Sequence, residues 1–350
     1  PDGNPPDGAP NGQPGGFGGS GEVTQGTSAN TISEDTAVTG TSYSSTGDGE
    51  NALRVDGAAV TLDGITVDKR AGATSNTEDG DFYGMNAALL ATNGATVTIK
   101  NATVNSSAQN GNGVFSYGSG TTVNISDSTI TTSADNSGGI QTTGGGTTNA
   151  ENLTVTTSGN SSAAIRSDRG GGTVNVTGGS YTSNGYNSPA VYSTAAITVK
   201  NAKLTANNSE SLVIEGKNSI ALENCTVSGN MSSTKGSSSL ENVHTVMIYQ
   251  SMSGDADVGT SEFSMTGGSL IGKNGDLFYI TNNRGESLPI ASFITVKDTT
   301  GPQYTNRFNL YRAASVTGQP AKGYSTGETM QALEEVAARV LPSDMGYAWS

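Results

Sequence analysis

A ten-residue pattern written eight times along the chain leaves few folds open to it. The copies are AVTLDGITVD, TVTIKNATVN, TVNISDSTIT, TTNAENLTVT, TVNVTGGSYT, AITVKNAKLT, SIALENCTVS and EFSMTGGSLI. Each pairs an alternating apolar strand with a turn residue and a second short strand. The turn residues are Gly64, Asn101, Asp127, Asn152, Gly178, Asn201, Asn224 and Gly267, at intervals of 37, 26, 25, 26, 23, 23 and 43 residues. A period near 25 with strands too short to bury a core alone predicts a solenoid whose rungs stack at ~4.8 Å.

Aligned copies give columns of one chemical type. Val60, Val97, Val123, Thr148, Val174, Ile197, Ile220 and Phe263 form one. Leu62, Ile99, Ile125, Ala150, Val176, Val199, Leu222 and Met265 form the next, and Val67, Val104, Ile130, Val155, Tyr181, Leu204, Val227 and Leu270 a third. These are predicted to point inward. A column of smaller residues that includes Cys225 marks the bend between strands, and the turn column holds Asn, Asp and Gly because a bend needs positive φ. Stacked Asn side chains in that column are expected to bond along the axis. A third strand closes each rung, with apolar centres expected at Leu53, Leu90, Phe115, Ile140, Ile165, Val191, Val213, Ile248 and Phe278.

The 49 Gly and the 33% hydrophobic content of this 350-residue chain would suggest disorder if the apolar residues lacked this pattern. A net charge of -14 excludes nucleic acid and anionic membrane surfaces as partners, since phosphate binding needs a positive footprint. Cys225 is the only cysteine and His244 the only histidine, which excludes internal disulfides and a Cys/His zinc site. No apolar run approaches the ~20 residues of a membrane span, so no membrane insertion by this segment is expected.

A three-stranded rung of 22 to 26 residues resembles the pectin-lyase-like right-handed parallel β-helix, and bacterial surface proteins of adhesin type, over about residues 45 to 282. The fold class expected is therefore all-β, a right-handed parallel β-helix solenoid. Residues 1–21, rich in Pro and Gly, read as a flexible lead, and the solenoid is expected over 22–284.

From about Gly285 the rung pattern stops. Ser325-Thr-Gly-Glu328 is a capping box, and Met330, Leu333, Val336, Ala337 and Val340 recur at helical spacing until Pro342. Strands are expected at about 307 to 318 and 345 to 350, giving a short α+β appendage, βαβ-like, over 285–350. A β-branched strand at 292 to 297 is expected to cover the last rung. The stretches GPQYTNRFNLYRAASVTG, GYSTGETMQALEEVA and LPSDMGYAWS resemble part of the periplasmic porter domain of resistance-nodulation-division efflux pumps. There the segment is completed by distant strands and transmembrane helices, so the resemblance implies a fragment, by fusion or otherwise, and carries no transport activity to this chain.

Function must lie on the outer surface. The insertion from Lys69 to Asn86 explains the 37-residue interval and holds Glu78, Asp79 and Asp81 beside Phe82 and Tyr83, types that stack a sugar ring or offer hard oxygens to Ca²⁺. The bland alternative is a polar loop with tucked-in aromatics. Asp255 and Asp257 are spaced as in short Ca²⁺ loops but lack the ligand series of an EF-hand, so calcium is the one cofactor considered, with Asp79, Asp81, Asp255 and Asp257 as its ligands. A second insertion, 228 to 246, carries Lys235, Glu241 and His244. A polysaccharide lyase would need a base among stacked carboxylates, and Arg166, Asp168 and Arg169 come nearest. An outward file of Thr66, Thr103, Thr129, Thr154, Ser180, Lys203, Thr226 and Ser269 resembles ice-binding ladders, yet Thr is also the ordinary choice for an exposed strand. The favoured reading is a non-enzymatic, secreted or cell-surface bacterial solenoid that presents loops to a glycan or a surface protein. A polysaccharide-active lyase or hydrolase is the alternative, and ice binding a minor one.

Overall fold

A computed structural model describes residues 22–234, 241–250 and 256–281 of the solenoid, and 306–308, 311–313, 320, 323, 325–341 and 346–348 of the C-terminal part. The chain divides into two units, 1–294 and 295–350.

The first unit is a parallel β-helix with three walls. In each rung a third-wall strand such as Leu53–Asp56 leads to a first-wall strand, Ala59–Asp63, and then to a second-wall strand, Thr66–Lys69. Every pairing between rungs is parallel, so Val60 sits on Val97, Val97 on Val123 and, further along, Val174 on Ile197 and Ile197 on Ile220. All of these are at most 3% exposed, which makes the file the spine of one continuous core. In the last two rungs the first and second walls run together as single strands, Ser219–Gly229 and Glu262–Gly272.

The turn file behaves as its composition dictates. All eight turn residues have φ between +48° and +69°, the left-handed region that Asn, Asp and Gly tolerate best. The amide ladder lies elsewhere: Asn175 donates to Asn149 at 2.9 Å and Asn149 to Asn124 at 2.8 Å on the outer face of the first wall. In the turn file Asn101 bonds Asp63, and Asn152 reaches Asp127 of the preceding rung at 3.5 Å. Cys225 is a buried core residue whose thiol points at the Val199 carbonyl.

The third wall corrects part of the sequence register. Its inward file is Leu53, Leu89, Val114, Ile140, Ile165, Val191, Leu212, Val246 and Phe278. Leu90, Phe115 and Val213 therefore point outward, although all three are buried. Adjacent apolar pairs (Leu-Leu, Val-Phe, Leu-Val) defeat a period-2 reading, and what covers Leu90 and Phe115 is the 70–86 insertion.

In the second unit, Asn306–Phe308 and Tyr311–Ala313 pair antiparallel, so the stretch expected as one strand is a hairpin. No Gly or Pro signals the reversal. The C-terminal helix, Thr326–Val340, starts with the expected capping box, Ser325 Oγ accepting from the Glu328 amide and Glu328 Oε2 accepting from the Ser325 amide. Residues 346–348 are not in a strand, and the segment 292 to 297 lies outside the described residues.

Candidate functional site

The 70–86 insertion leaves the second wall and lies along the outer face of the third. Its core is a short helix, α1, Thr77–Tyr83, capped by the Asn76 side chain on the Glu78 amide and closed by Gly84 at φ +81°. Gly84 has a second duty, because a Cβ there would lie 2.7 Å from Leu90 and 3.1 Å from Phe115. The helix can thus rest directly on the wall. A carbonyl near a helix C-terminus needs an outside partner, and the next rungs supply them: Gln141 donates to the Asp81 carbonyl at 2.7 Å and Thr143 to that of Phe82 at 2.6 Å.

The same placement brings together residues 85 apart in sequence. Arg166 reaches Asp81 with both terminal nitrogens, at 3.1 and 3.0 Å, and Asp168 at 2.8 Å. The two carboxylate side chains are 11% and 6% exposed and the guanidinium 11%, so this is a buried triad. Burial alone would make Arg166 easier to deprotonate, but the charges of Asp81 and Asp168 outweigh it and hold the group above the ordinary arginine range. Burial likewise pushes the Asp81 carboxyl up, against the pull of Arg166 and a bond from Asn110. The two carboxylates hold Arg166 as a cation, which disfavours a role as a base.

At the rim, the Arg169 guanidinium lies 4.1 Å from the Phe82 ring centroid and 3.9 Å from Glu78 Oε2. Phe82, 7% exposed beneath it, has no face open to a sugar. Tyr83 does better, half-buried and perpendicular to Tyr117 at 5.8 Å between centroids. Tyr117 escaped the sequence reading because it lies two positions beyond a wrongly oriented Phe115.

The other expected residues are dispersed among the described residues. Asp81 is paired with Arg166, Asp79 is half-buried on α1, Asp257 is exposed outside any strand or helix, and Asp255 falls outside the described residues. Among the described residues no group of three or more His, Cys, Asp or Glu could hold a metal. Of the second insertion, Lys235 lies outside the described residues, Glu241 is half-buried, and His244 is buried in a strand with its ring stacked on Tyr279 at 5.1 Å. A cluster that the sequence did not reveal stands further along the third wall, where Tyr192 and Tyr249 both donate to Glu215 Oε2.

Fold and surface together define a parallel β-helix with a helical insertion clamped across one wall. The comparisons with known proteins address the other end of the chain. Residues 273–350 match the AcrB/AcrD/AcrF family. The toluene efflux pump membrane transporter TtgB of Pseudomonas putida is 40% identical over 73 residues, 21% of this chain and 7% of that protein. The multidrug export protein AcrF of Escherichia coli is 31% identical over 75 residues, again 21% and 7%. The chain spans 7% of the length of these relatives. No solved structure matches it. The family match begins within the last rung, whose strand Asp276–Ile280 pairs with His244–Tyr249. No helix among the described residues is long and apolar enough to cross a membrane.

Proposed function

We propose that this chain is a non-enzymatic, secreted or cell-surface β-helix of bacterial adhesin type, allied to the pectin-lyase-like solenoids, that binds a glycan on its third wall. The observation that carries this reading is the Tyr83 and Tyr117 pair, fixed at right angles by a clamped helix and flanked by Glu78 and Arg169 at the surface. Rigid aromatic rings with a charged rim are what a sugar face and its hydroxyls recognise. A glycan array probed with the purified chain, with and without Ca²⁺, should give binding that Tyr83→Ala and Tyr117→Ala each weaken about tenfold. A blank array, or binding indifferent to both substitutions, would sink the reading, and capture of a surface protein instead would redirect it.

The convergence of Asp81, Arg166 and Asp168 on one face favours the polysaccharide-active alternative, because sequence alone had left Arg166 without stacked carboxylates. The locked protonation of Arg166 weighs against it. Incubation with the bound glycan should yield no shortened or unsaturated products, and their appearance would establish the enzyme. The C-terminal fragment is proposed to have no transport function here, being a small part of a membrane pump.

A further inference from the structure

The outer face of the third wall carries a second cluster, beyond the α1 clamp, that the proposed glycan site does not use. Tyr192, Glu215 and Tyr249 come from three successive rungs of that wall. Both phenols donate to one oxygen, Glu215 Oε2, Tyr249 at 2.6 Å, and the two phenol oxygens are 3.3 Å apart. Glu215 is 2% exposed. Its other oxygen, Oε1, has no hydrogen bond among the described residues, and no described cation pairs with the carboxylate.

The residue shows little surface, but Oε1 is not among the buried atoms left without a partner, so that oxygen is open to a ligand from outside, and a carboxylate held between rings favours a positive charge against it. The neighbouring arginine, Arg166, is occupied by Asp81 and Asp168. Asp168 adds its own negative potential here: after burial, the largest cause, the charges of Glu215 and Asp168 help hold both phenols well above the ordinary tyrosine range. The two rings are nevertheless only half-buried. Among the described residues the cluster therefore offers a visitor one carboxylate oxygen without a hydrogen bond, a net negative charge and aromatic rings. A protonated amine answers all three, through N–H donors, a positive charge and attraction to the π faces.

We propose that Tyr192, Glu215 and Tyr249 form a subsite for the protonated amino group of an amino-sugar unit in the bound glycan. The inference rests on the glycan reading above and deepens it. Tyr117 stands three strands before Tyr192 along the same wall, roughly 14 Å at ~4.8 Å per rung, so a short oligosaccharide lying along the solenoid axis reaches from one aromatic group to the other.

Calorimetric titration with a fully deacetylated glucosamine hexamer and with its N-acetylated counterpart, at a pH where the amines are protonated, tests it. The wild-type chain should prefer the deacetylated oligomer by about tenfold, and Glu215→Gln should abolish that preference while keeping its affinity for the acetylated one. Equal affinity of the wild type for both oligomers overturns the amine subsite and leaves glycan binding standing. Failure to bind either, with a blank array, overturns both. Oligolysine bound as tightly as the deacetylated oligomer would assign the amine to a peptide and overturn the glycan source. Should Glu215→Gln not fold, salt decides on the wild type. Raising NaCl several-fold must weaken the deacetylated oligomer and spare the acetylated one, and an equal response from the two overturns the proposal.

Discussion

Val176 and Thr177 are neighbours in one strand with opposite fates, Val176 1% exposed between Ala150 and Val199 and Thr177 facing solvent. Val176→Asp puts an unpaired charge between stacked rungs and should cost about 4 kcal/mol or prevent folding, whereas Thr177→Asp should stay within about 0.5 kcal/mol. Thermal melts of the two variants check this, and equal shifts would contradict the inward and outward assignment. Lys69 is the unusual member of the buried second-wall file. Its ammonium donates to the Gly47 carbonyl at 2.6 Å, and burial lowers it to about 8 against the opposing charges of Glu50 and Asp48. The unfolded chain keeps that proton up to ~10.4. Between those values the unfolded state binds more protons, so stability rises with pH there. Urea unfolding at pH 7.5 and pH 10 should show this rise in the wild type and lose it in Lys69→Met; unchanged pH dependence in the variant would place the effect elsewhere.

At the scale of elements, α1 is clamped to the third wall by Arg166 together with Gln141 and Thr143. Arg166→Met leaves Asp81 and Asp168 buried without their cation and should cost about 3–5 kcal/mol. Arg169→Ala, which removes the long Glu78 ion pair and the Phe82 ring contact at the rim among its interactions, should cost about 1 kcal/mol. Hydrogen exchange should localise the first effect to 77–86, and uniform loosening of the solenoid would show that the triad serves the wall rather than the helix. The first two walls were legible because strands that alternate around an Asn, Asp or Gly turn have one consistent register. The third was not, since Leu89-Leu90 and Val114-Phe115 offer an apolar side chain to both faces and only the covering helix decides. The candidate residues 78–83 and 166–169 were each visible as chemistry. Their meeting was not, because it depends on where an insertion folds across later rungs, and no local pattern encodes that. The Tyr192, Glu215 and Tyr249 cluster stayed hidden for a related reason: three ordinary outward residues, 23 and 34 positions apart, become a site only when the rungs are stacked.

The whole molecule joins a repeat that grows by adding rungs to a segment whose kin are pumps. A solenoid's stability is a sum over rungs and their nearest-neighbour contacts, so an appended sequence need not support distant ones. The third-wall site spans the rungs from Tyr117 to Tyr249, none of which falls in the 273–350 family match. Truncation after Asn283 should therefore leave the β-rich circular dichroism spectrum and the glycan affinity within about twofold of the full chain. The final rung, where Ile271 and Leu277 are 45% and 47% exposed, offers a strand edge through which the truncated chain can associate. Sedimentation of the truncated chain at rising concentration, alongside its binding isotherm, separates the two effects. A soluble monomer that no longer bound glycan would assign the site to the C-terminal unit. A chain that associates yet binds as before is what independent rungs require, because each contact that builds the third-wall site is then made among strands that the truncation leaves in place.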